Sequence, residues 1–259
     1  MLNPFLSRVG GTLSADIAVP EHERVMRFYA RVLGTGERPL WRDDLMNNHG
    51  IPVIGLGART EELAHLPLQW MPHIQVADIA ASVERTLALG GRTLMLDDSG
   101  KHQWAVLRDP NGAAFGIIPV VPAEALPPPA TDDGSPVGRI AWLDLTVPDA
   151  PATRDFYAQV VGWTVEDVAM ADAGDRYADY NMLGGDGSPA AGVCHARGVN
   201  QGLPPVWMLY LPVGDLARSL DRTREEGGTV IRESRGRDGE YAYAVIQDPV
   251  GAHLALVPG

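Results

Sequence analysis

The chain repeats itself, and that repeat limits its folds more than any other feature. The segment SADIAVPEHERVMRFYARVLG, starting at Ser14, aligns with WLDLTVPDAPATRDFYAQVVG, starting at Trp142. Phe28 and Tyr29 fall on Phe156 and Tyr157, and Gly34 falls on Gly162. Further along, Trp70, Asp78, Gly90 and Gly91 match Trp207, Asp215, Gly227 and Gly228. Asp109, Pro110 and Gly112 then match Asp248, Pro249 and Gly251. Three anchor sets in one order, with small insertions between them, are the mark of a tandem duplication. With 259 residues, each copy is long enough to build its own core. Between the copies lies VPAEALPPPATDDGSP, whose proline run cannot enter a helix or a central strand. The expected layout is domain 1 over 1–120, a Pro-rich linker over 121–136 and domain 2 over 137–259.

Each copy carries a finer pattern. A strand at Ala15–Val19 leads into a helix whose apolar stripe is Val25, Phe28, Tyr29, Val32 and Leu33. That is the spacing of a helix lying on a sheet. Gly34 is placed to end it. The second copy repeats the stripe with Thr153, Phe156, Tyr157, Val160 and Val161, with Asp149 as N-cap. Short strands are expected near Ile51–Leu56 and Pro189–Cys194. A second unit opens with strands at His73–Val76 and Leu209–Val213, then helices capped by Asp78 and Asp215 and stopped by Gly pairs. A hairpin closes the first domain: Gln103–Leu107, a turn at 109–112, and Ala113–Ile118. The predicted order is β-α-β-β-β, twice per domain. The fold class is α+β, two tandem domains of paired βαβββ modules, each a curved mixed sheet shaped as a cup with helices outside.

Bulk properties remove several functions. A net charge of -12, with no Lys/Arg cluster, argues against nucleic acid and against an anionic membrane. The single Cys194 cannot form an internal disulfide, so a cytoplasmic setting is expected. The opening MLNPFLSRVGG lacks a basic start followed by an apolar run, and no apolar stretch approaches the ~20 residues a bilayer span needs.

The module order, the PE/PD–FYxxVLG-like stretches and the DPxG turns resemble the glyoxalase/bleomycin-resistance/extradiol-dioxygenase (vicinal oxygen chelate) superfamily. The WLDL start of the second copy and its DGSPAAGV stretch resemble a two-domain glyoxalase-like subgroup. The resemblance implies a cup that, in metal-dependent members, holds a divalent ion on His, Gln or Glu. Carried onto this chain, the ligand positions are Ser14 and Trp142, Met71 and Met208, Gly116 and Ala255. The remaining position falls near Ile54–Leu56 and Val193–His195. Of these only His195 is a metal ligand by type, so neither a metal nor another cofactor is expected.

Strand alternation turns residues two places from those positions to the same face. These are Asp16 and His73 in domain 1, and Asp144, Tyr210 and His253 in domain 2. A carboxylate, an imidazole and a phenol on one concave surface can orient a polar ligand or exchange a proton. Alternatively, Asp16 and Asp144 serve structure by bonding backbone or Arg groups. Trp142, Met208, Tyr210 and Met71 either wall a site for a flat aromatic or polyketide-like ligand, or simply fill the vacated metal sites. Trp70 and Trp207 have the opposite parity and belong to the core. His22, His49, His65 and His102 read as isolated surface residues, Cys194 as a structural thiol, and Arg232, Arg235 and Arg237 as a solvated loop.

The functional expectation is a metal-independent small-molecule binding protein of the bleomycin-resistance type, monomeric or homodimeric. Its alternative is an enzyme of the same superfamily (lyase, isomerase or oxygenase-like) that uses displaced ligands or Asp/Tyr/His acid–base groups. A purely structural pair of domains is the third option, and the polar groups in the cups count against it.

Overall fold

The computed structural model describes residues 7–35, 41–48, 51–97, 99, 103–125 and 136–259. Domain 1 runs β1 (Thr12–Val19), α1 (His22–Leu33), β2 (Trp41–Arg42), β3 (Leu45–Asn48) and β4 (Ile51–Ala58). Its second unit is β5 (Met71–Val76), α2 (Ile79–Ala88), β6 (Arg92–Leu96), β7 (Ala105–Arg108) and β8 (Ala114–Pro119). Domain 2 repeats this with β9 (Trp142–Val147), α3 (Ala150–Val161), β10 (Thr164–Asp172), β11 (Asp175–Leu183) and β12 (Pro189–His195). It ends with β13 (Trp207–Val213), α4 (Leu216–Glu225), β14 (Thr229–Arg235), β15 (Tyr241–Gln247) and β16 (His253–Pro258).

The two sheets have matching orders, β2-β3-β4-β1-β5-β8-β7-β6 and β10-β11-β12-β9-β13-β16-β15-β14. The first strand of each unit pairs in parallel with the last strand of the same unit. The two units join through antiparallel β1/β5 and β9/β13 at the centre. Among the described residues, no strand is shared between the halves.

The helices form where the sequence stripes predict. α1 buries Val25, Phe28, Tyr29, Val32 and Leu33, and α3 buries the five equivalent residues. The Asp149, Asp78 and Asp215 carboxylates accept the Ala152, Ala81 and Arg218 amides at 2.9–3.0 Å, the ordinary N-cap bond. Gly162 ends α3 in the left-handed region at φ 90°. Gly34 ends α1 at an ordinary φ of -84°, so nothing in its backbone requires glycine. Trp70 and Trp207 are buried among the helix-facing core residues, as their parity requires.

The helices lie on the side of each sheet away from the cup, and there the two domains meet, α1 packing on α4 and α2 on α3. The arm before β1 also crosses to domain 2. Arg8 pairs with Asp186, and the Gly10 carbonyl accepts the Trp163 indole N–H at 3.0 Å.

One local expectation is corrected. Arg232 and Arg235 sit on β14, not in a loop. Arg232 donates to the Gln201 carbonyl at 2.8 Å, and Arg235 lies 3.7 Å over the Tyr241 ring. The β10–β11 hairpin supplies the two strands that the β-α-β-β-β order requires but that the sequence alone did not locate, its outer strand being largely exposed. His22 and His65 bond to the Leu56 and Leu94 carbonyls at 3.0 and 3.2 Å. His49, His102 and residues 126–135 of the expected linker lie outside the described residues.

Candidate functional site

The face of the domain 1 sheet away from its helices encloses a cavity of about 630 Å³. That volume lies within the range of small-molecule pockets. Its walls are mainly apolar: Leu45, Leu63, Leu66, Met71, Met95 and Trp104 surround a floor holding Asp16 and His73.

Register explains why these polar groups meet. Antiparallel β1/β5 sets Ser14 opposite His73, and the Ser14 Oγ lies 2.8 Å from His73 Nδ1. His73 Nε2 stands 3.6 Å from Asp16 Oδ2. Two glycines make the room. Gly55 is the parallel partner of Asp16, and a Cβ there would stand 2.7 Å from the carboxylate. Gly116 is the parallel partner of His73, and a Cβ there would stand 2.7 Å from the ring. Mid-strand glycines of this kind mark close approach by another group.

Asp16 is 60% exposed, but to the hollow of the cup, whose apolar walls limit its solvation. That setting raises its carboxyl above the ordinary range, and the facing His73 pulls it back. Burial lowers the His73 imidazole, with Asp16 opposing, so the ring is neutral near neutral pH.

Domain 2 repeats the plan with different chemistry. Asp144 faces Gly192, where an added Cβ would clash with its Oδ1. The Trp142 Nε1 donates to Asp144 at 2.7 Å. Burial raises the Asp144 carboxyl, while Trp142 and the nearby Tyr210 hydroxyl oppose the rise. Burial and then the nearby Asp144 charge hold the Tyr210 phenol far above its usual range. Met208 packs with Val245 and Ala255 on this face, beside Tyr210 and Tyr243. His253 follows by alternation, its Nε2 3.4 Å from the Gln247 amide, and burial lowers its pKa.

Of the eight sequence-predicted residues, Asp16, His73 and Met71 therefore line one cavity. Trp142 is bonded to Asp144 beside Tyr210, with Met208 and His253 on the same sheet face. His195 turns to Asp179, with Nδ1 2.9 Å from Oδ1, and burial raises the neighbouring Cys194 thiol. Sequence reasoning missed Trp104, Met95 and Leu45, which border the cavity. No local pattern marks them, because their place at the rim depends on how loops and outer strands rise around the floor.

The positions that hold a metal in metal-dependent relatives do not fit one here. Met71 is buried against Leu66 and Ala114, and the His73 ring covers Gly116. Among the described residues, no group of three or more His, Cys, Asp or Glu side chains is gathered to hold an ion. One carboxylate and one imidazole fall short of a transition-metal site. The chemistry of the cup is that of a hydrogen-bonding pair in an apolar hollow.

The family model described as a glyoxalase-like domain matches this chain twice, over residues 13–118 and 141–257. The chain belongs to the glyoxalase-like domain family. Its two glyoxalase-like domains share their fold with the Mn(II)-bound glyoxalase from Novosphingobium aromaticivorans, at TM-score 0.56 and 17% identity over 98% of this chain and 83% of that one. BphC, a halotolerant catechol dioxygenase, gives TM-score 0.55 at 16% identity over 98% and 88%. Among curated proteins, the anthracycline biosynthesis protein DnrV of Streptomyces peucetius is 32% identical over 131 residues, 46% of each chain. The match thus spans about half the length of that relative. No helix among the described residues is long and apolar enough to cross a membrane.

Proposed function

We propose that the protein binds a flat, largely apolar small molecule in the domain 1 cup without a metal. The observation that carries this reading is the cavity of about 630 Å³, walled by Trp104, Met71, Met95 and leucines around one polar pair. Apolar walls supply affinity through burial, and a few placed polar groups fix orientation. DnrV is named for anthracycline biosynthesis, which supports a polycyclic aromatic as the ligand type.

Domain 1 is favoured over domain 2 because the Asp144 carboxylate already accepts the Trp142 indole N–H and lies beside the Tyr210 hydroxyl. A ligand there would have to replace that bond. Titration with naphthalene-type probes tests the reading. Binding should quench part of the tryptophan emission, and Trp104→Phe should remove most of the quench. A chain that binds none of these probes would refute it.

A further inference from the structure

The Asp16–His73 pair is more specific than an apolar cup needs. Its two facing atoms, His73 Nε2 and Asp16 Oδ2, stand 3.6 Å apart, too far for a good direct hydrogen bond. Both groups line the hollow. Ser14 Oγ engages the other ring nitrogen at 2.8 Å and holds the imidazole in place. When the Ser14 hydroxyl donates to Nδ1, Nε2 carries the proton and becomes a donor facing the cup. The floor then offers one donor and one ionised acceptor within reach of a single ligand atom.

We propose that this pair selects a neutral ring system bearing a hydroxyl, whose oxygen accepts from His73 and whose proton is donated to Asp16. The proposal rests on the reading of the domain 1 cup as the binding site and names its ligand class. Other groups satisfy the pair less well. A ketone or ether oxygen accepts from His73 but covers the Asp16 carboxylate and displaces its water without supplying a donor, which is costly. A carboxylate brings a second negative charge against Asp16. An ammonium would pair with Asp16, but its own desolvation among Leu45, Leu63, Met71 and Trp104 opposes entry. A hydroxyl is both donor and acceptor on one atom and carries no charge.

Equilibrium dialysis of the full chain against naphthalene, β-naphthol and β-naphthoate tests this. The expected order is β-naphthol tightest, naphthalene about tenfold weaker, and β-naphthoate weaker still. Asp16→Asn should cut the naphthol preference to about threefold or less and admit naphthoate. Trp104→Ala should weaken naphthol and naphthalene alike. Equal affinity for naphthol and naphthalene in the native protein would overturn the proposal while leaving the cup as the binding site. So would an Asp16→Asn variant that keeps both the preference and the exclusion. Binding of none of the three probes would instead sink the underlying reading, and the proposal with it. Circular dichroism and the thermal midpoint of each variant confirm that the native fold is being compared.

Discussion

The Tyr29 hydroxyl of domain 1 donates to the Asp248 carboxylate of domain 2 at 3.0 Å. The mirror bond joins Tyr157 to Asp109 at 3.3 Å. Each tyrosine also accepts an indole N–H from its own domain, Trp70 at 3.2 Å and Trp207 at 2.9 Å. Each aspartate in addition caps its own tight turn, taking the Ala113 and Ala252 amides at 2.8 Å. The Phe-Tyr and Asp-Pro-x-Gly signatures of one copy therefore meet those of the other copy across the interface. Ser82 and Ser219 add a reciprocal pair, donating to the Val160 and Val32 carbonyls at 2.7 and 2.8 Å. The same residues that reveal the repeat bind its halves together.

Removing one of these hydroxyls should be costly. Tyr29→Phe leaves the buried Trp70 indole without its acceptor and takes a donor from Asp248, so a loss of about 1–3 kcal/mol is expected. Tyr157→Phe should cost a similar amount by the same route. Urea unfolding of each variant measures this. A loss of only a few tenths of a kcal/mol in both would show that the crossed bonds contribute little.

The same architecture explains what could be read from the sequence. Helix stripes, caps and the central strands were legible because burial there is periodic and one-sided, as in Val25, Phe28, Tyr29, Val32 and Leu33. Face parity was legible as well, setting Trp70 and Trp207 in the core and Asp16 and His73 on the cup face. β10 was not located, since its residues are mostly exposed and its alternation is confined to the second half, where only Val168 and Met170 are large apolar residues turned inward. Nor was it legible that Trp104 borders the domain 1 cavity, because that depends on which loops and edge strands rise around the floor. The partnership of Tyr29 with Asp248 is a long-range contact between copies, and no local pattern encodes it.

The glycines beneath the aspartates give a controlled comparison. Asp144 is held by the Trp142 indole, so it cannot swing away from a new Cβ at residue 192 without losing that bond. Gly192→Ala should destabilise the protein by about 1–3 kcal/mol. At Gly57 the nearest atom to an added Cβ is a backbone oxygen at 3.9 Å, so Gly57→Ala should be neutral or slightly stabilising. Equal denaturation midpoints for the two variants would remove the steric account of Gly192.

Asp144 should also leave a pH signature. Burial raises its carboxyl in the folded protein, so the native state holds that proton more tightly than the unfolded chain does. The associated stability is whole below the ordinary carboxylate value of ~4 and is lost as pH rises through the folded value. Asp144→Asn carries no such titration, and its amide oxygen can still accept from Trp142. The stability of the variant relative to the native protein should therefore increase from acidic to neutral pH in thermal melts. A difference that stays constant across that range would contradict the assignment.

Two tryptophans separate the cups. Trp104 borders the domain 1 cavity, whereas Trp142 donates its indole N–H to Asp144 in domain 2. If the ligand lies in domain 1, Trp104→Ala removes a stacking wall and should weaken a naphthalene-type probe about tenfold, or ~1.4 kcal/mol. Trp142→Ala should leave that affinity within about twofold and act on stability instead, because Asp144 loses a donor. Calorimetric titration of both variants with β-naphthol, paired with thermal melts, reads the two effects apart. The opposite result, with Trp142→Ala abolishing binding and Trp104→Ala neutral, would move the site to domain 2. There the ligand would have to open the Trp142–Asp144 bond beside Tyr210, and Tyr210→Phe would then weaken binding as well.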